Sequence, residues 1–289
     1  MIRARSKAAL LLATAALAGP IVIPSAEAET GSGWIPFGTG GAEVNIFSKT
    51  TTQDPFELQT TGPLTVETQH LDVGPNGTTG LVARQGILVV GVAAGVATVR
   101  SAQNQQCASR TIGAGSALIQ PAGTVSEIRN QGSDKLELYA VSLTADGLQA
   151  AATPPPGPCT GAEASGVTSQ SLNRSVIQAP FTAESKGTSD VYLAALRVAP
   201  RGAVSWHTQH RPLVASVDTG QLGLHIAHSG ECHLTDYPAN AGFYEPPNMV
   251  HEVRNDTDGP ALFYVLAFAE SPRPVAVLAA EPEECKKKS

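Results

Sequence analysis

The apolar residues of this chain come in short runs rich in β-branched side chains, separated by Gly, Pro and polar turn residues. The runs cover residues 86–90, 96–99, 136–143, 213–217, 222–226 and 261–268. Helical periodicity is scarce, and only residues 146–152 and 275–284 could form a helical turn or two. Short strands at regular spacing, with no helices between them, predict an all-β fold of antiparallel sandwiches or barrels.

The chain carries the same pattern twice, because residues 54–143 align with residues 179–268 at one constant offset and without a gap. The matched positions include Pro55-Phe56 with Pro180-Phe181, Gly95 with Gly220, Cys107 with Cys232 and Arg129-Asn130 with Arg254-Asn255. Two similar domains follow, and 289 residues are enough for each to bury its own core. The copies differ where chemistry is expected, since His207 and His251 align with Val82 and Ser126.

The boundaries follow from the repeat and from composition. Residues 1–28 read as a signal peptide, because Arg3, Arg5 and Lys7 precede an apolar run and Ala26-Glu27-Ala28 supplies small residues for cleavage. Residues 29–52 form an N-terminal arm expected to pack on a barrel edge. An N-terminal barrel over 53–159, a linker over 160–172 and a C-terminal barrel over 173–285 complete the predicted organisation.

Charge and hydropathy limit the partners and the compartment. The net charge is −6, which gives no electrostatic footprint for nucleic acid. No later stretch is long and apolar enough to span a bilayer, so we expect a mature chain without a membrane span, secreted or otherwise extracytoplasmic.

The four cysteines suggest two disulfides in an exported chain. Cys107 and Cys232 are equivalent in the repeat, and Cys159 and Cys285 trail their own copies by almost the same distance. The repeat therefore predicts the pairs Cys107–Cys159 and Cys232–Cys285, each pinning a C-terminal tail. No Cys-x-x-Cys is present to support a redox role.

Two motifs in the second copy carry a family resemblance. Residues 202–210 contain Gly202, Trp206-His207, Gln209 and His210, and residues 246–255 contain Pro246, His251 and Asn255. This pattern resembles the cupin superfamily, and the first copy repeats the second motif with Ser126 in place of the histidine. The resemblance implies two tandem cupin (jelly-roll) β-barrels, a bicupin. More narrowly, Trp206-His207 and Cys232 are similar to the pattern of exported actinobacterial cupin-domain proteins.

In metal-binding cupins, two histidines and a carboxylate of the first motif converge with one histidine of the second. The resemblance implies that His207 takes the first place, Gln209 the second, Leu213 approximately the carboxylate's and His251 the last. In the first copy the corresponding positions are Val82, Arg84, approximately Leu88 and Ser126. We therefore expect no metal site in the N-terminal barrel.

The geometry of the site in the C-terminal barrel depends on whether the strand that carries His207 contains a bulge. Side chains alternate along a strand, so His207 and Gln209 would point into the barrel and His210 outward. A one-residue bulge could turn His210 inward, and His207, His210 and His251 would then suit zinc, iron or copper. Without the bulge, two histidines and an amide form a weaker site for a divalent transition metal (iron, zinc, manganese or copper), or a polar pocket with neutral histidines.

The pocket walls and the function follow as hypotheses. Trp206, Tyr244 and Tyr264 could line a small-molecule pocket, or be core residues. The leading hypothesis is an exported bicupin that binds a small molecule or a divalent metal in its C-terminal barrel without turnover. The alternatives are a metal-dependent oxygenase or isomerase that uses His207 and His251, and a cell-envelope interaction scaffold. The sequence leaves open whether the chain is an enzyme, and fold alone does not decide it.

Overall fold

The computed structural model describes residues 40–286. The predicted signal peptide and the first part of the arm lie outside these residues. The N-terminal half contains eleven strands: β1 Ala42–Thr52, β2 Phe56–Gln59, β3 Leu64–Thr78, β4 Val82–Arg84, β5 Ile87–Ala94, β6 Val96–Gln103, β7 Gln106–Gly113, β8 Ala117–Gln120, β9 Val125–Asn130, β10 Leu136–Ala145 and β11 Ala151–Ala152.

The second half repeats the first, strand for strand. Its elements are β12 Ser165–Ile177, β13 Thr182–Ser185, β14 Ser189–Val198, β15 Ala203–Gln209, β16 Leu213–Thr219, β17 Gln221–His228, β18 Glu231–Pro238, β19 Ala241–Glu245, β20 His251–Arg254, β21 Ala261–Glu270, β22 Ala276–Leu278 and α1 Glu283–Lys286. Of the two stretches considered for helical turns, residues 146–152 contain a turn and β11. Residues 275–284 contain β22 and the start of α1.

Each half is a barrel of two facing sheets. In the second half one sheet contains β14-β21-β16-β19 and the other β18-β17-β20-β15-β22. The eight successive strands β14 to β21 are thus divided between two sheets in the order of a jelly roll. Alternating apolar residues fill the space between the sheets, with a core that includes Leu196, Phe243 and Phe263. The predicted all-β fold of two tandem jelly-roll barrels is confirmed.

The two barrels exchange their leading strands. The arm strand β1 lies antiparallel to β14 of the second barrel, with Thr52 opposite Ser189. The equivalent strand β12 pairs in the same register with β3 of the first barrel, with Ile177 opposite Leu64. Each barrel edge is therefore covered by a strand from the other copy, and no edge is left open at this junction. The short strands β2 and β13, one from each half of the chain, also pair with each other.

The structure differs from the sequence-based expectation over the linker. Residues 160–172 are small and polar, yet the chain is in strand β12 from Ser165 onward. The reason is that β3 presents unpaired backbone groups along one edge, and pairing with them satisfies the backbone of β12 whatever its side chains are. Another apolar core, which includes Leu58, Phe181 and Phe268, fills the space between the barrels.

The two disulfides join the residues that the repeat predicted. Cys107 bonds Cys159 and Cys232 bonds Cys285, at sequence separations of 52 and 53. Each bond fastens the segment that follows a barrel to the outer hairpin of that barrel. Within residues 40–286, no helix is both long and apolar enough to cross a membrane.

Candidate metal site

Three potential metal ligands meet inside the C-terminal barrel. His207 comes from β15, His251 from β20 and Glu245 from β19, so both sheets contribute. One ligand atom of each residue lies within 4.8 Å of the others. The three residues are buried, at 4 %, 1 % and 3 % exposure for His207, His251 and Glu245. A carboxylate and two imidazoles are a donor set for zinc, iron or manganese.

A β-bulge brings the two histidines opposite each other. Val204 pairs with Val253, but the next pair is His207 with His251, so β15 has one extra residue at this point. As a result Trp206 and His207 are both buried although they are neighbours in sequence. Trp206 packs against the Cys232–Cys285 disulfide, while His207 faces His251 with 4.3 Å between the ring centroids.

Backbone carbonyls fix the orientation of both imidazole rings. The Nδ1 of His207 lies 2.8 Å from the carbonyl oxygen of Ser205, and the Nδ1 of His251 lies 3.0 Å from that of Met249. A carbonyl only accepts, so Nδ1 carries the proton and donates in each ring. In the neutral ring this leaves Nε2 as the nitrogen that can bind a metal, and in the protonated ring of His251 the same nitrogen carries the proton that faces Glu245. Such a bond from the other ring nitrogen is typical of metal-ligating histidines.

Glu245 links the histidines to Gln209. Its Oε2 lies 3.1 Å from the Nε2 of His251 and accepts a hydrogen bond of 3.2 Å from the Nε2 of Gln209. Gln209 is 1 % exposed, and its Oε1 is buried without a hydrogen-bond partner within the described chain. A buried acceptor with no donor is costly, and a cation beside it would remove that cost.

The charges in the site shift one another's pKa values. Burial raises the pKa of Glu245, but attraction to His251 and His207, with hydrogen bonds from His251 and Gln209, outweighs burial and lowers it. Burial lowers the pKa of His251, but the charge and hydrogen bond of Glu245 raise it above the usual value. Burial and then the charge of His251 lower the pKa of His207. Glu245 is therefore a carboxylate at neutral pH.

The sequence motif does not identify Glu245 as a ligand, because it places the carboxylate approximately at Leu213. Leu213 lies on β16 and is the direct cross-strand neighbour of Glu245 on β19. The carboxylate thus comes from the strand beside the expected one. A signal existed in the sequence: Glu245 lies two residues after Phe243, on the same face of a strand whose Phe243 belongs to the core.

The other predicted site residues do not join this cluster. His210 is exposed, and its Nδ1 lies 3.3 Å from Oδ1 of Asn248. The bulge precedes His207 rather than following it, so His210 stays outside the barrel. Tyr244 lines a cavity of about 490 Å³ formed by β12, β18 and β19, which the ligand side chains do not line. Tyr264 is buried, and its ring centroid is 6.0 Å from that of Phe47 on the arm.

A second group of potential ligands lies on the N-terminal half. The Nε2 of His70 is 3.0 Å from Oε1 of Glu137 and 3.6 Å from Oδ1 of Asp72. These side chains are half-buried, and the Nζ of Lys135 lies 3.0 Å from the same oxygen of Asp72. A lysine already balances this charge, so the group is an ion-pair network more than a cation site.

The equivalent positions of the N-terminal barrel hold a neutral version of the site. Val82, Gln120 and Ser126 take the places of His207, Glu245 and His251. The hydroxyl of Ser126 donates a 2.9 Å hydrogen bond to Oε1 of Gln120, and both residues are buried. This pair preserves the contact between β8 and β9 without any group that prefers a metal ion.

Comparison with known proteins gives a likeness of fold. No family model matches the chain, and no curated protein matches it. Solved structures of oxalate decarboxylase from Bacillus subtilis are similar. One, determined at pH 4.6, is 16 % identical in sequence with a TM-score of 0.38, and the match covers 86 % of this chain and 83 % of the decarboxylase chain. Another, from a study of the Mn(II) centres of that enzyme, is 16 % identical with a TM-score of 0.36, and the match covers 78 % of this chain and 80 % of the decarboxylase chain. Similarity at this level says nothing of activity or substrate.

Proposed function

We propose that this protein binds one divalent transition-metal ion in its C-terminal barrel, through His207, Glu245 and His251, and holds it without turning over a substrate there. The observation that carries the proposal is the convergence of three buried ligand atoms within 4.8 Å. Two ligands about 2.1 Å from one ion are at most about 4.2 Å apart, so only a small contraction is needed.

The surroundings of the three residues fit a cation. Both imidazoles donate from Nδ1 to backbone carbonyls, which turns Nε2 toward the centre of the site. The unpartnered Oε1 of Gln209 supplies a further oxygen close to Glu245. Two nitrogens and one or two oxygens suit zinc, iron, manganese or copper, with the choice left to geometry and availability.

Burial favours binding over turnover. Sites that hold a metal for structure or storage are closed, whereas catalytic sites keep an open ligand position for water or substrate. Here all three ligands and Gln209 are almost fully buried, and the amide oxygen of Gln209 could complete a four-ligand shell. A substrate would reach the ion only if the strands around it moved.

The second candidate is a metal-dependent oxygenase or isomerase. It is favoured by the donor set, because two histidines and one carboxylate also hold iron in non-haem oxygenases. A metal bound here would act as a Lewis acid or activate a small ligand. His207, Glu245 and His251 would hold it, and the buried walls around them would exclude bulk water.

The proposal also includes export of the protein, with an envelope scaffold as the alternative role. Two disulfides are typical of an oxidising compartment, which supports an extracytoplasmic location reached through the leader at residues 1–28. The likeness to exported actinobacterial proteins stays a proposal based on Trp206-His207 and Cys232. If the barrels instead serve as an envelope scaffold, removing His207 and His251 would leave the function intact.

The experiment is metal analysis of the protein purified without chelators or a metal-affinity column. We expect about one equivalent of iron, zinc, manganese or copper, and none in the His207→Ala, His251→Ala double variant. The matched control is His210→Ala, which removes an exposed imidazole next to the site and should keep the metal. The proposal is wrong if the wild type neither contains a metal nor takes one up after stripping. It is also wrong if the double variant retains the metal.

A further inference from the structure

The N-terminal barrel contains a cavity beside an arginine. Arg84 is the last residue of β4 and aligns with Gln209 of the second barrel. The cavity has a volume of about 230 Å³ and lies between the two sheets. Its lining is mainly apolar and includes Leu71, Val82, Leu88, Ile128 and Leu138.

Among residues 40–286 no side chain supplies a counter-charge to the guanidinium of Arg84. Its Nε is buried, and the side chain forms no ion pair or hydrogen bond with any residue in 40–286. No Asp or Glu is among the residues that line the cavity. By contrast, Arg100 and Arg129 of the same barrel both pair with the buried Glu127. Arg84 as a whole is half-buried, so its charge is partly removed from water without a partner, and an anion in the cavity would offset that cost.

Arg84 remains positively charged at neutral pH. Burial lowers the pKa of its guanidinium to about 10, well above the neutral range. A planar guanidinium matches a carboxylate, because its N–H groups can donate two parallel hydrogen bonds to the two oxygens. The apolar remainder of the cavity suits a hydrocarbon body rather than a strongly hydrated inorganic anion.

We infer that the N-terminal barrel binds a small organic carboxylate, whose carboxylate group pairs with Arg84 and whose apolar body fills the cavity. An apolar cavity of about 150 Å³ holds one benzene molecule. Scaling by volume, this cavity holds a ligand of about nine non-hydrogen atoms, which is the size of benzoate. This site differs from the metal site in barrel, residues and ligand chemistry.

The experiment is calorimetric titration of the full chain with benzoate, and with benzamide as the neutral analogue of equal size. The titration is made on chelator-treated protein, so that a carboxylate bound to a metal in the other barrel cannot contribute. We expect saturable benzoate binding that weakens roughly 10- to 100-fold in Arg84→Met, because one charge-assisted pair is lost. Benzamide should bind the wild type as weakly as benzoate binds Arg84→Met.

The control is Arg174→Met, which removes an exposed positive charge on β12 and should keep the affinity of the wild type. Folding of Arg84→Met is checked by its melting temperature without ligand, which should equal or exceed that of the wild type because an unpaired charge has gone. The inference is wrong if benzoate does not saturate at millimolar concentration. It is equally wrong if Arg84→Met or benzamide matches wild-type benzoate binding.

Discussion

The substitution Glu245→Gln separates the contribution of the metal from that of packing. The side chain keeps its shape and loses its charge, in a position where it contacts His251 and Gln209. Without metal the expected change in stability is within about 1 kcal/mol, because His251 can lose its proton and leave no buried charge unpaired. With metal, the variant lacks the one anionic ligand among the three.

The magnitude follows from linkage between binding and folding. At a free metal concentration of about 100 times the dissociation constant, binding stabilises the wild type by about 2.7 kcal/mol. For a chain of this size that raises the melting temperature by roughly 5–11 °C. If the substitution weakens binding about 100-fold, the same metal concentration stabilises the variant by only about 0.4 kcal/mol, or roughly 1–2 °C.

The assay is scanning calorimetry of chelator-stripped protein at buffered free zinc or manganese. The matched control is Glu252→Gln, which removes the carboxylate next to His251 on β20. That carboxylate is paired with Arg254, so its loss should leave the metal-dependent shift unchanged. Equal metal-dependent shifts in the wild type and Glu245→Gln would refute the assignment of Glu245 as a ligand.

Three further predictions concern the shell of the site, the disulfide and the exchanged arm. Gln209→Met removes a hydrogen bond to the carboxylate and should weaken metal binding roughly 10- to 100-fold in a competition titration. The Cys232→Ser, Cys285→Ser double variant opens a loop with a sequence separation of 53, and denaturant unfolding should show a loss of up to about 4 kcal/mol. Ile46→Ala on β1 should cost about 1–2 kcal/mol and speed hydrogen exchange in the C-terminal barrel, against which Ile46 packs.

The disulfide and the β1 substitutions have controls in the other half of the repeat. The Cys107→Ser, Cys159→Ser variant should lose similar stability but leave Trp206 fluorescence unchanged, since the disulfide against which Trp206 packs is Cys232–Cys285. Val167→Ala tests the other exchanged strand, β12, and should speed hydrogen exchange in the N-terminal barrel, where Val167 packs. Faster hydrogen exchange in the same barrel for Ile46→Ala and Val167→Ala would argue against the exchange of β1 and β12 between barrels.

Much of the candidate site could be predicted from sequence. His207 and His251 are brought together as the motif resemblance implied, because both lie on strands of one sheet and face its interior. Gln209 points inward by the alternation of side chains along β15. The same alternation predicts that His210 points outward, but the inward alternative stayed open because the location of a bulge depends on pairing with β20 and not on the residues of β15 alone.

The amino-acid sequence by itself determined the all-β class, the two barrels and the pairing of the cysteines, because periodicity and the internal repeat are local and cumulative signals. Only the tertiary structure decided that Glu245 supplies the carboxylate, since its approach to His251 depends on how the two sheets face each other. It also decided that β1 and β12 exchange between barrels. Both features arise from contacts between residues distant in the chain, and strand register across such distances is not encoded in any short pattern.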